Sequence, residues 1–294
     1  MRASPAPASR IGAAFERLRG RGERALVAYL MAGDPSLVET ERLVIEAERR
    51  GADVIELGVP FSDPLADGPV IQRAGVRALA AGTSLSRVLE LVATLRARVR
   101  VPLVLFTYYN PLLAFGLKAF AQTAVDAGAD GVIVPDLPPE ESEPLRAEAE
   151  PAGLDLIHLV APTSTPARVK AIARRSRGFI YVVSLTGVTG ERRELPKGLD
   201  AQVRTLRLVT TKPVCVGFGV STPEQVAAVG RIADGVVVGS AIVRAIEQHA
   251  GSSALVDKLG DFIASLKQPL RESSADSREV SAGQARRGAP RPGR

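Results

Sequence analysis

Short runs of valine, isoleucine and leucine recur along this chain, and they constrain its fold more than any other feature. The runs do not alternate between apolar and polar residues, which is typical of strands buried on both faces of a parallel sheet. Eight strands are predicted, at 25–31, 53–57, 102–107, 131–134, 154–160, 179–183, 213–217 and 235–238. Parallel strands need long connections, and helices usually supply them. The pattern therefore predicts an α/β protein.

The segments between these runs carry helix signals. Helix starts are indicated at Thr165-Pro166 and at Ser221-Thr222-Pro223, and the unit Gly-Ala-Asp precedes a strand at 51–53 and at 128–130. Glycine at a helix end relieves the steric cost of a left-handed residue. Eight strand–helix units favour closure, because an open sheet would leave two unprotected edges. A chain of 294 residues suits a single (β/α)₈ TIM barrel, which takes roughly 250 residues.

The ends of the chain differ from this body. Ser9 to Gly20 predicts an extra helix before the first strand, and we hypothesise that it closes the bottom of the barrel. Residues 268–294 are rich in Ser, Arg, Gly and Pro and poor in apolar residues, which is typical of disorder. The predicted organisation is a disordered segment at 1–10, a barrel at 11–267 and a disordered basic tail at 268–294.

Composition and charge exclude several classes of protein. The net charge of +6 comes mostly from the two ends, so no basic face is left to bind nucleic acid. No apolar stretch is long enough to span a membrane, and no secretory signal is visible at the start. The single cysteine, Cys215, fits a reducing compartment, so a cytoplasmic protein is predicted. His158 and His249 stand apart without other metal ligands, and no metal site is predicted.

Two carboxylates are candidates for acid–base chemistry. Glu56 interrupts an apolar strand near its end, where a barrel directs side chains into its active-site mouth. Burial there disfavours ionisation and suits proton transfer. Asp67 lies eleven residues later, in a loop stiffened by prolines. A structural salt bridge for Glu56 and a turn cap for Asp67 account for these positions equally well on spacing alone.

Glycine-rich segments after the last two strands predict a phosphate site. Gly219 follows the seventh predicted strand, and Gly239 and Ser240 follow the eighth. Barrels often bind phosphate between these two loops, where backbone N–H groups and a helix N-terminus meet the anion. Aromatic residues at the same end of the barrel are candidates for a flat apolar pocket or for the core: Tyr29, Tyr108, Tyr181 and Phe218.

One segment is far more specific. The fourteen residues from Glu56 to Pro69, ELGVPFSDPLADGP, resemble the signature of the tryptophan synthase α chain, and the resemblance extends from about Ile11 to Lys267. It implies a lyase that cleaves indole-3-glycerol phosphate to indole and glyceraldehyde 3-phosphate by a retro-aldol reaction in tryptophan biosynthesis. It also implies that Glu56 transfers protons and that Asp67 hydrogen-bonds the indole N–H.

The resemblance assigns the remaining site residues. Thr189 lies in the loop that closes over the substrate, Gly190 joins the phosphate contacts, and the four aromatic residues named above line the indole pocket. Two positions depart from the family pattern: Tyr29 stands for a phenylalanine and Leu185, in the closing loop at 185–197, for an arginine.

The resemblance also implies a partner. The α chain acts with a β chain, expected in an α₂β₂ heterotetramer, and Pro60, Asp63 and Asp136 lie where the family contacts it. Pyridoxal phosphate is expected on the β chain only, and no cofactor is predicted here. Two alternatives remain: a catalytically weak subunit that mainly activates its partner, and another phosphate-binding barrel such as a sugar-phosphate isomerase or an FMN oxidoreductase.

Overall fold

The structure is a computed structural model that describes residues 9–183, 198–217 and 219–287, with side chains as far as Arg271. The strands are β1 (Ala25–Met31), β2 (Val54–Gly58), β3 (Leu103–Phe106), β4 (Gly131–Ile133), β5 (Asp155–Ile157), β6 (Leu159–Val160), β7 (Ile180–Val183), β8 (Val214–Gly217) and β9 (Gly235–Val238). The helices are α1 (Arg10–Arg21), α2 (Leu37–Arg50), α3 (Pro69–Ala80), α4 (Leu85–Arg96), α5 (Tyr109–Phe115), α6 (Leu117–Ala127), α7 (Glu143–Ala152), α8 (Pro166–Arg175), α9 (Leu199–Arg207), α10 (Pro223–Gly230), α11 (Ser240–His249) and α12 (Leu255–Arg287).

The strands form a closed parallel barrel. Their hydrogen-bonded order is β5-β4-β3-β2-β1-β9-β8-β7-β6, and β5 and β6 are two parts of one predicted strand, divided at His158. The Tyr181 N–H donates to the His158 carbonyl at 3.2 Å, so this divided strand joins both ends of the order. The division arises because the His158 N–H donates to the Ser176 hydroxyl instead of to a neighbouring strand. The predicted (β/α)₈ barrel is confirmed, with its fifth strand interrupted.

Both faces of the sheet are buried, which explains why the strands lack alternation. Residues at every second position fill the barrel interior, and the others pack under the helices. The interior set includes Val27, Val104, Ile133, Phe179, Cys215 and Val237. The set under the helices includes Leu26, Leu103, Val132, Ile180, Val214 and Val236.

The N-terminal helix closes the end of the barrel at which the strands begin, here called the floor. Ser9 caps α1 by accepting the Gly12 N–H, and the larger buried side chains of α1, Ile11, Phe15 and Leu18, belong to the interior cluster. Phe15 of α1 packs on Phe179, with ring centroids 5.9 Å apart. The hypothesis that this helix closes the barrel is confirmed, and the helix already begins at Arg10, inside the segment 1–10 that the sequence predicts to be disordered.

The Gly-Ala-Asp repeat has a structural purpose at the floor. Asp53 accepts the Leu26 N–H at 2.8 Å, and Asp130 accepts the Leu103 N–H at 2.8 Å. Each aspartate thus satisfies a backbone donor at the start of the neighbouring strand, which would otherwise be buried without a partner. The repeat is a hydrogen-bonding device that recurs from one strand to the next.

The last helix extends past the predicted end of the barrel. Lys267 is buried in α12 and forms an ion pair with Asp53 at 2.9 Å. Leu270 is also fully buried, and its carbonyl accepts the Arg24 N–H at 3.0 Å. The boundary predicted between 267 and 268 therefore falls inside the packed helix. Residues 1–8 and 288–294 lie outside the described residues, and disorder there stays a prediction.

Among the described residues, no helix by itself is long and apolar enough to cross a membrane.

Candidate functional site

Glu56 lies inside the barrel, at the end where the strands finish, here called the mouth. It stands in β2 opposite Tyr29 of β1, and its side chain is 1% exposed. Its Oε1 atom has no hydrogen-bond partner among the described residues. Burial raises the pKa of Glu56 from 4.5 to about 8. The carboxyl group is therefore mostly protonated at neutral pH and is available as an acid. None of the described cations pairs with Glu56, so the described residues offer no salt bridge that would account for its burial.

Asp67 sits in the loop between β2 and α3, against Tyr108. The Ala66 N–H donates to the Tyr108 hydroxyl oxygen at 3.0 Å. Burial raises the pKa of Asp67 to about 6, and a side-chain hydrogen bond with Tyr108 opposes that rise. Asp67 is thus mainly ionised at neutral pH while Glu56 is mainly neutral. Two carboxyl groups held in different protonation states are what acid–base catalysis requires.

Two buried tyrosines flank Glu56, and each fits over a glycine of the next strand. A Cβ atom on Gly58 would lie 2.1 Å from the Tyr29 hydroxyl, and one on Gly217 would lie 2.4 Å from the Tyr181 hydroxyl. Any larger residue would displace the rings. Burial and the nearby Glu56 carboxylate both raise the pKa of Tyr29 and of Tyr181. The structure therefore brings both predicted pocket residues to the interior beside Glu56.

Phe106 completes this group of aromatic rings and was missed by the sequence analysis. It is the last residue of β3, is 7% exposed, and meets Tyr29 edge-on with centroids 5.7 Å apart. The sequence could have indicated Phe106, because it lies two residues after the interior-facing Val104 in the same strand and so faces the interior too.

The predicted phosphate site lies beside this pocket. Gly239 is the N-cap of α11 and, as a glycine, has no side chain to cap the helix. Ser240 is the exposed first residue of the helix. A Cβ atom on Gly239 would lie 3.6 Å from the Tyr29 Cβ, so the start of α11 adjoins the ring pocket. Gly219, on the neighbouring loop, has a φ of +85°. Free N–H groups at a helix start and the helix dipole together favour an anion.

The predicted partner-contact residues are distributed around the mouth. Asp63 and Asp136 are exposed, and Asp136 accepts the Tyr109 N–H at 3.0 Å. Leu65, in the same loop as Asp63, is 95% exposed. Pro60 is buried beneath this loop. A single exposed leucine is ordinary on a protein surface, so the partner contact at these residues stays a prediction.

Several predicted residues lie outside the described residues: Thr189, Gly190, Phe218, and Leu185 with the loop at 185–197. His158 is buried in the barrel wall, as expected for a core residue, and burial lowers its pKa to about 4. No group of three or more histidine, cysteine or acidic residues among those described is arranged to hold a metal ion.

Known proteins resemble this chain over almost its whole length. A family profile described as tryptophan synthase alpha chain matches residues 15–271. The tryptophan synthase alpha chain of Citrifermentans bemidjiense is 52% identical over 266 residues, which cover 90% of this chain and 99% of that protein. That of Geobacter sulfurreducens is 49% identical over 265 residues, covering 90% and 98%.

Solved structures agree with these relatives. The crystal structure of tryptophan synthase subunit alpha from Legionella pneumophila has a TM-score of 0.83 at 39% identity, covering 89% of this chain and 98% of that one. A structure of Mycobacterium tuberculosis tryptophan synthase has a TM-score of 0.83 at 38% identity, covering 90% and 99%.

Proposed function

The chain belongs to the tryptophan synthase alpha chain family, and from that premise we propose which of its residues carry out the reaction. It is a lyase that cleaves indole-3-glycerol phosphate to indole and glyceraldehyde 3-phosphate in tryptophan biosynthesis. The proposal concerns Glu56, Asp67 and the groups around them. Its main support is the buried Glu56 carboxyl group, whose Oε1 atom has no hydrogen-bond partner among the described residues.

The reaction breaks the bond between indole C3 and the first glycerol carbon. C3 must gain a proton, and the hydroxyl group on the glycerol carbon must lose one. As the bond breaks, its electron pair returns to the indole ring, and the glycerol carbon becomes the aldehyde of glyceraldehyde 3-phosphate. One proton is gained and one is lost, so the step needs no other reactant.

Glu56 is proposed to manage both protons. With a pKa of about 8, it is protonated at neutral pH and can donate to C3. The resulting carboxylate is then the base for the glycerol hydroxyl, which returns Glu56 to its starting state. The surrounding apolar interior favours this exchange, because a lone carboxylate is costly there.

Asp67 is proposed to stabilise the ring. Protonation at C3 places positive charge on the indole nitrogen, and an ionised carboxylate that accepts the N–H hydrogen bond stabilises that charge. Asp67, with a pKa of about 6, is ionised at neutral pH. Tyr108 is proposed to position it, since their side chains are hydrogen-bonded.

The remaining proposed contacts are those with the indole ring and with the phosphate. We propose that Tyr29, Tyr108 and Tyr181 line the indole pocket, together with Phe106. The phosphate is proposed to bind the N–H groups at Gly219, Gly239 and Ser240. Roles for Phe218 in the pocket, Gly190 at the phosphate and Thr189 in the closing loop rest on the family resemblance.

A β-chain partner goes with this family. We propose an α₂β₂ heterotetramer in the cytoplasm, in which Pro60, Asp63 and Asp136 lie at the contact with the β chain. Asp63 and Asp136 are exposed at the mouth and are thus accessible to such a partner. The pyridoxal phosphate of the second reaction is expected on the β chain.

A direct assay of indole release, with and without a β chain, tests the proposal. Glu56→Gln should lower cleavage at least about 100-fold, because it removes the proposed proton carrier while keeping the shape of the side chain. Asp67→Asn should lower it by a similar factor through lost charge stabilisation. Glu90→Gln, on the exposed face of α4, is the matched control and should cleave as the wild type does.

Complex formation with the β chain should survive Glu56→Gln. Normal cleavage by that variant would contradict the role of Glu56. Wild-type chain that activates the β chain but releases no indole would instead favour the alternative of a subunit that mainly activates its partner.

A further inference from the structure

A row of ion pairs connects three elements around the mouth. Arg77 of α3 holds both carboxylate oxygens of Asp34, in the loop after β1, at 2.8 Å. The same guanidinium reaches Glu247 of α11 at 2.8 Å. Arg73, one turn earlier in α3, binds both oxygens of Glu247 at 2.9 and 2.8 Å. Glu247 therefore joins two cations of α3 to α11, and the two arginines hold its pKa down at about 2.

The inner end of this row is firmly fixed. Asp34 is 2% exposed, and two parallel hydrogen bonds to one guanidinium set both distance and orientation. Close packing adds to the ion pair, because a Cβ atom on Gly33 would lie 2.0 Å from the Thr83 hydroxyl just after α3. The α3 helix is thus anchored to the barrel through Asp34.

The α3 helix also determines where Asp67 lies. Asp67 precedes the N-cap of α3, Gly68, by one residue, and the Gln72 amide donates to the Asp67 carbonyl at 2.9 Å. The rest of the loop is largely exposed, as the 95% exposure of Leu65 shows. A displacement of α3 would therefore move Asp67 with it.

The α11 helix carries the phosphate site at its other end. Its first turn contains Ser240, and Glu247 lies two turns later on the same helix. A bound phosphate fixes the first turn of α11, and Glu247 then connects that fixed helix to α3. The path from the phosphate to Asp67 runs along α11, across the ion pairs of Glu247 with Arg73 and Arg77, and along α3 to the loop that carries Asp67.

We propose that Glu247 is a positioning residue, which couples the phosphate site on α11 to Asp67 through Arg73 and Arg77 of α3. The substrate's phosphate then helps to align the carboxylate that binds the indole ring, although the two groups lie at opposite ends of the substrate. This inference rests on the proposed function, because it assigns the phosphate to α11 and the indole N–H to Asp67.

Glu247 is the right residue to change. Its partner Arg73 has a side chain that is 53% exposed, and Arg77 keeps its pair with Asp34, so removal of Glu247 leaves no buried charge unpaired. Removal of Arg77 would leave the buried Asp34 carboxylate without its ion-pair partner. An unpaired buried charge is strongly destabilising. Glu247→Ala removes the ion pairs between α3 and α11 and leaves the pair of Arg77 with Asp34 in place.

The test compares two substrates, indole-3-glycerol phosphate and indole glycerol without the phosphate. The full-length chain is assayed for indole release with a saturating β chain. Glu247→Ala should lower kcat/KM for the phosphorylated substrate about tenfold, since a small misplacement of a catalytic group has effects of that order. For the substrate without phosphate, kcat/KM should stay within twofold of the wild type, because nothing then holds α11.

Two further variants complete the comparison. Glu247→Gln keeps the hydrogen-bond acceptor and loses the charge. Its kcat/KM for the phosphorylated substrate should therefore lie between those of Glu247→Ala and the wild type. Glu41→Ala removes a partly exposed ion pair between Glu41 of α2 and Arg98, just after α4, which are 2.8 Å apart. It should leave kcat/KM unchanged for both substrates.

If Glu247→Ala lowers kcat/KM equally for both substrates, or for neither, the proposed coupling is overturned. Glu247 then has a structural role at most. That result would not affect Glu56 and Asp67, whose roles are tested by their own variants. A wild-type chain that releases no indole from the phosphorylated substrate would overturn the proposed function itself.

Discussion

At the scale of single residues, Glu56 combines a catalytic advantage with a cost in stability. The apolar interior that keeps its carboxyl group protonated also penalises the ionised form. No described cation offsets that penalty. The chain therefore holds a proton at Glu56 that an unfolded chain would release at the same pH.

This linkage predicts how Glu56→Gln changes stability with pH. The folded pKa, about 8, lies above the ordinary value of 4.5, so the folded state binds the proton more tightly. The stabilising effect of that proton is complete below pH 4 and is lost as the pH rises through 8. Glutamine does not ionise. Relative to the wild type, the variant should therefore gain stability as the pH rises across this range, by roughly 5 kcal/mol between pH 4 and pH 9.

Urea unfolding at pH values from 5 to 9 measures this difference. Glu90→Gln serves as the control, since Glu90 is exposed. Its free energy of unfolding should equal that of the wild type at every pH. Parallel stability curves for the wild type and Glu56→Gln would show that Glu56 ionises normally in the folded chain.

Some residues of the site can be identified from the sequence, and others cannot. Glu56 could be found because it is the charged member of an apolar strand. The substitution of tyrosine for phenylalanine at position 29 is accommodated by Gly58, which leaves room for the hydroxyl. The ion pairs of Arg77 could not be found, because its partners Asp34 and Glu247 are 43 and 170 positions away and no local pattern marks them.

At the scale of elements, strands and helices were predictable where burial is regular. Every predicted strand has a counterpart, because burial on both faces produces unbroken apolar runs. The end of α12 was missed, since Pro269 and the polar residues after it suggested a coil. The signal was the spacing of one apolar stripe at helical intervals, in Leu255, Leu259, Ile263, Leu266 and Leu270.

Truncation tests where the packed part of α12 ends. A chain that stops after Lys267 loses the buried Leu270 side chain and the bond from the Arg24 N–H to its carbonyl. It should unfold with a free energy lower by about 2–4 kcal/mol. A chain that stops after Arg271 keeps both contacts and should match the full-length chain.

Denaturant midpoints of the two truncated chains and the full-length chain give the comparison, and indole release should be equal in all three where they are folded. Equal midpoints for the two truncated chains would place the end of the packed helix at or before Lys267.

At the scale of the whole molecule, stability and chemistry occupy opposite ends of the barrel. The mouth carries Glu56 and Asp67, with a protonated carboxyl in an apolar site. The floor carries the apolar face of α1 and the aspartates of the Gly-Ala-Asp repeat, each with its backbone donor. A change at the floor should therefore alter unfolding without altering catalysis by the molecules that remain folded.

Phe15→Ala tests this separation. Phe15 is 4% exposed and packs on Phe179, so its loss should lower the free energy of unfolding by about 3–5 kcal/mol. The kcat/KM for indole release at low temperature should stay within twofold of the wild type. Val38→Ala, at a position that is 69% exposed, is the control and should change neither quantity. A large fall in kcat/KM for folded Phe15→Ala would show that floor and mouth are coupled.

The position of the two terminal helices has a practical consequence. Ser9 begins the helix that closes the floor, and Leu270 meets Arg24 at the start of β1, so both ends of the packed chain leave from the floor. An affinity tag, a fluorescent label or a surface tether attached through either end starts from the side opposite the mouth. A chain immobilised in this way would present its mouth to the solution, which suits it to measurements of substrate and β-chain binding on a sensor surface.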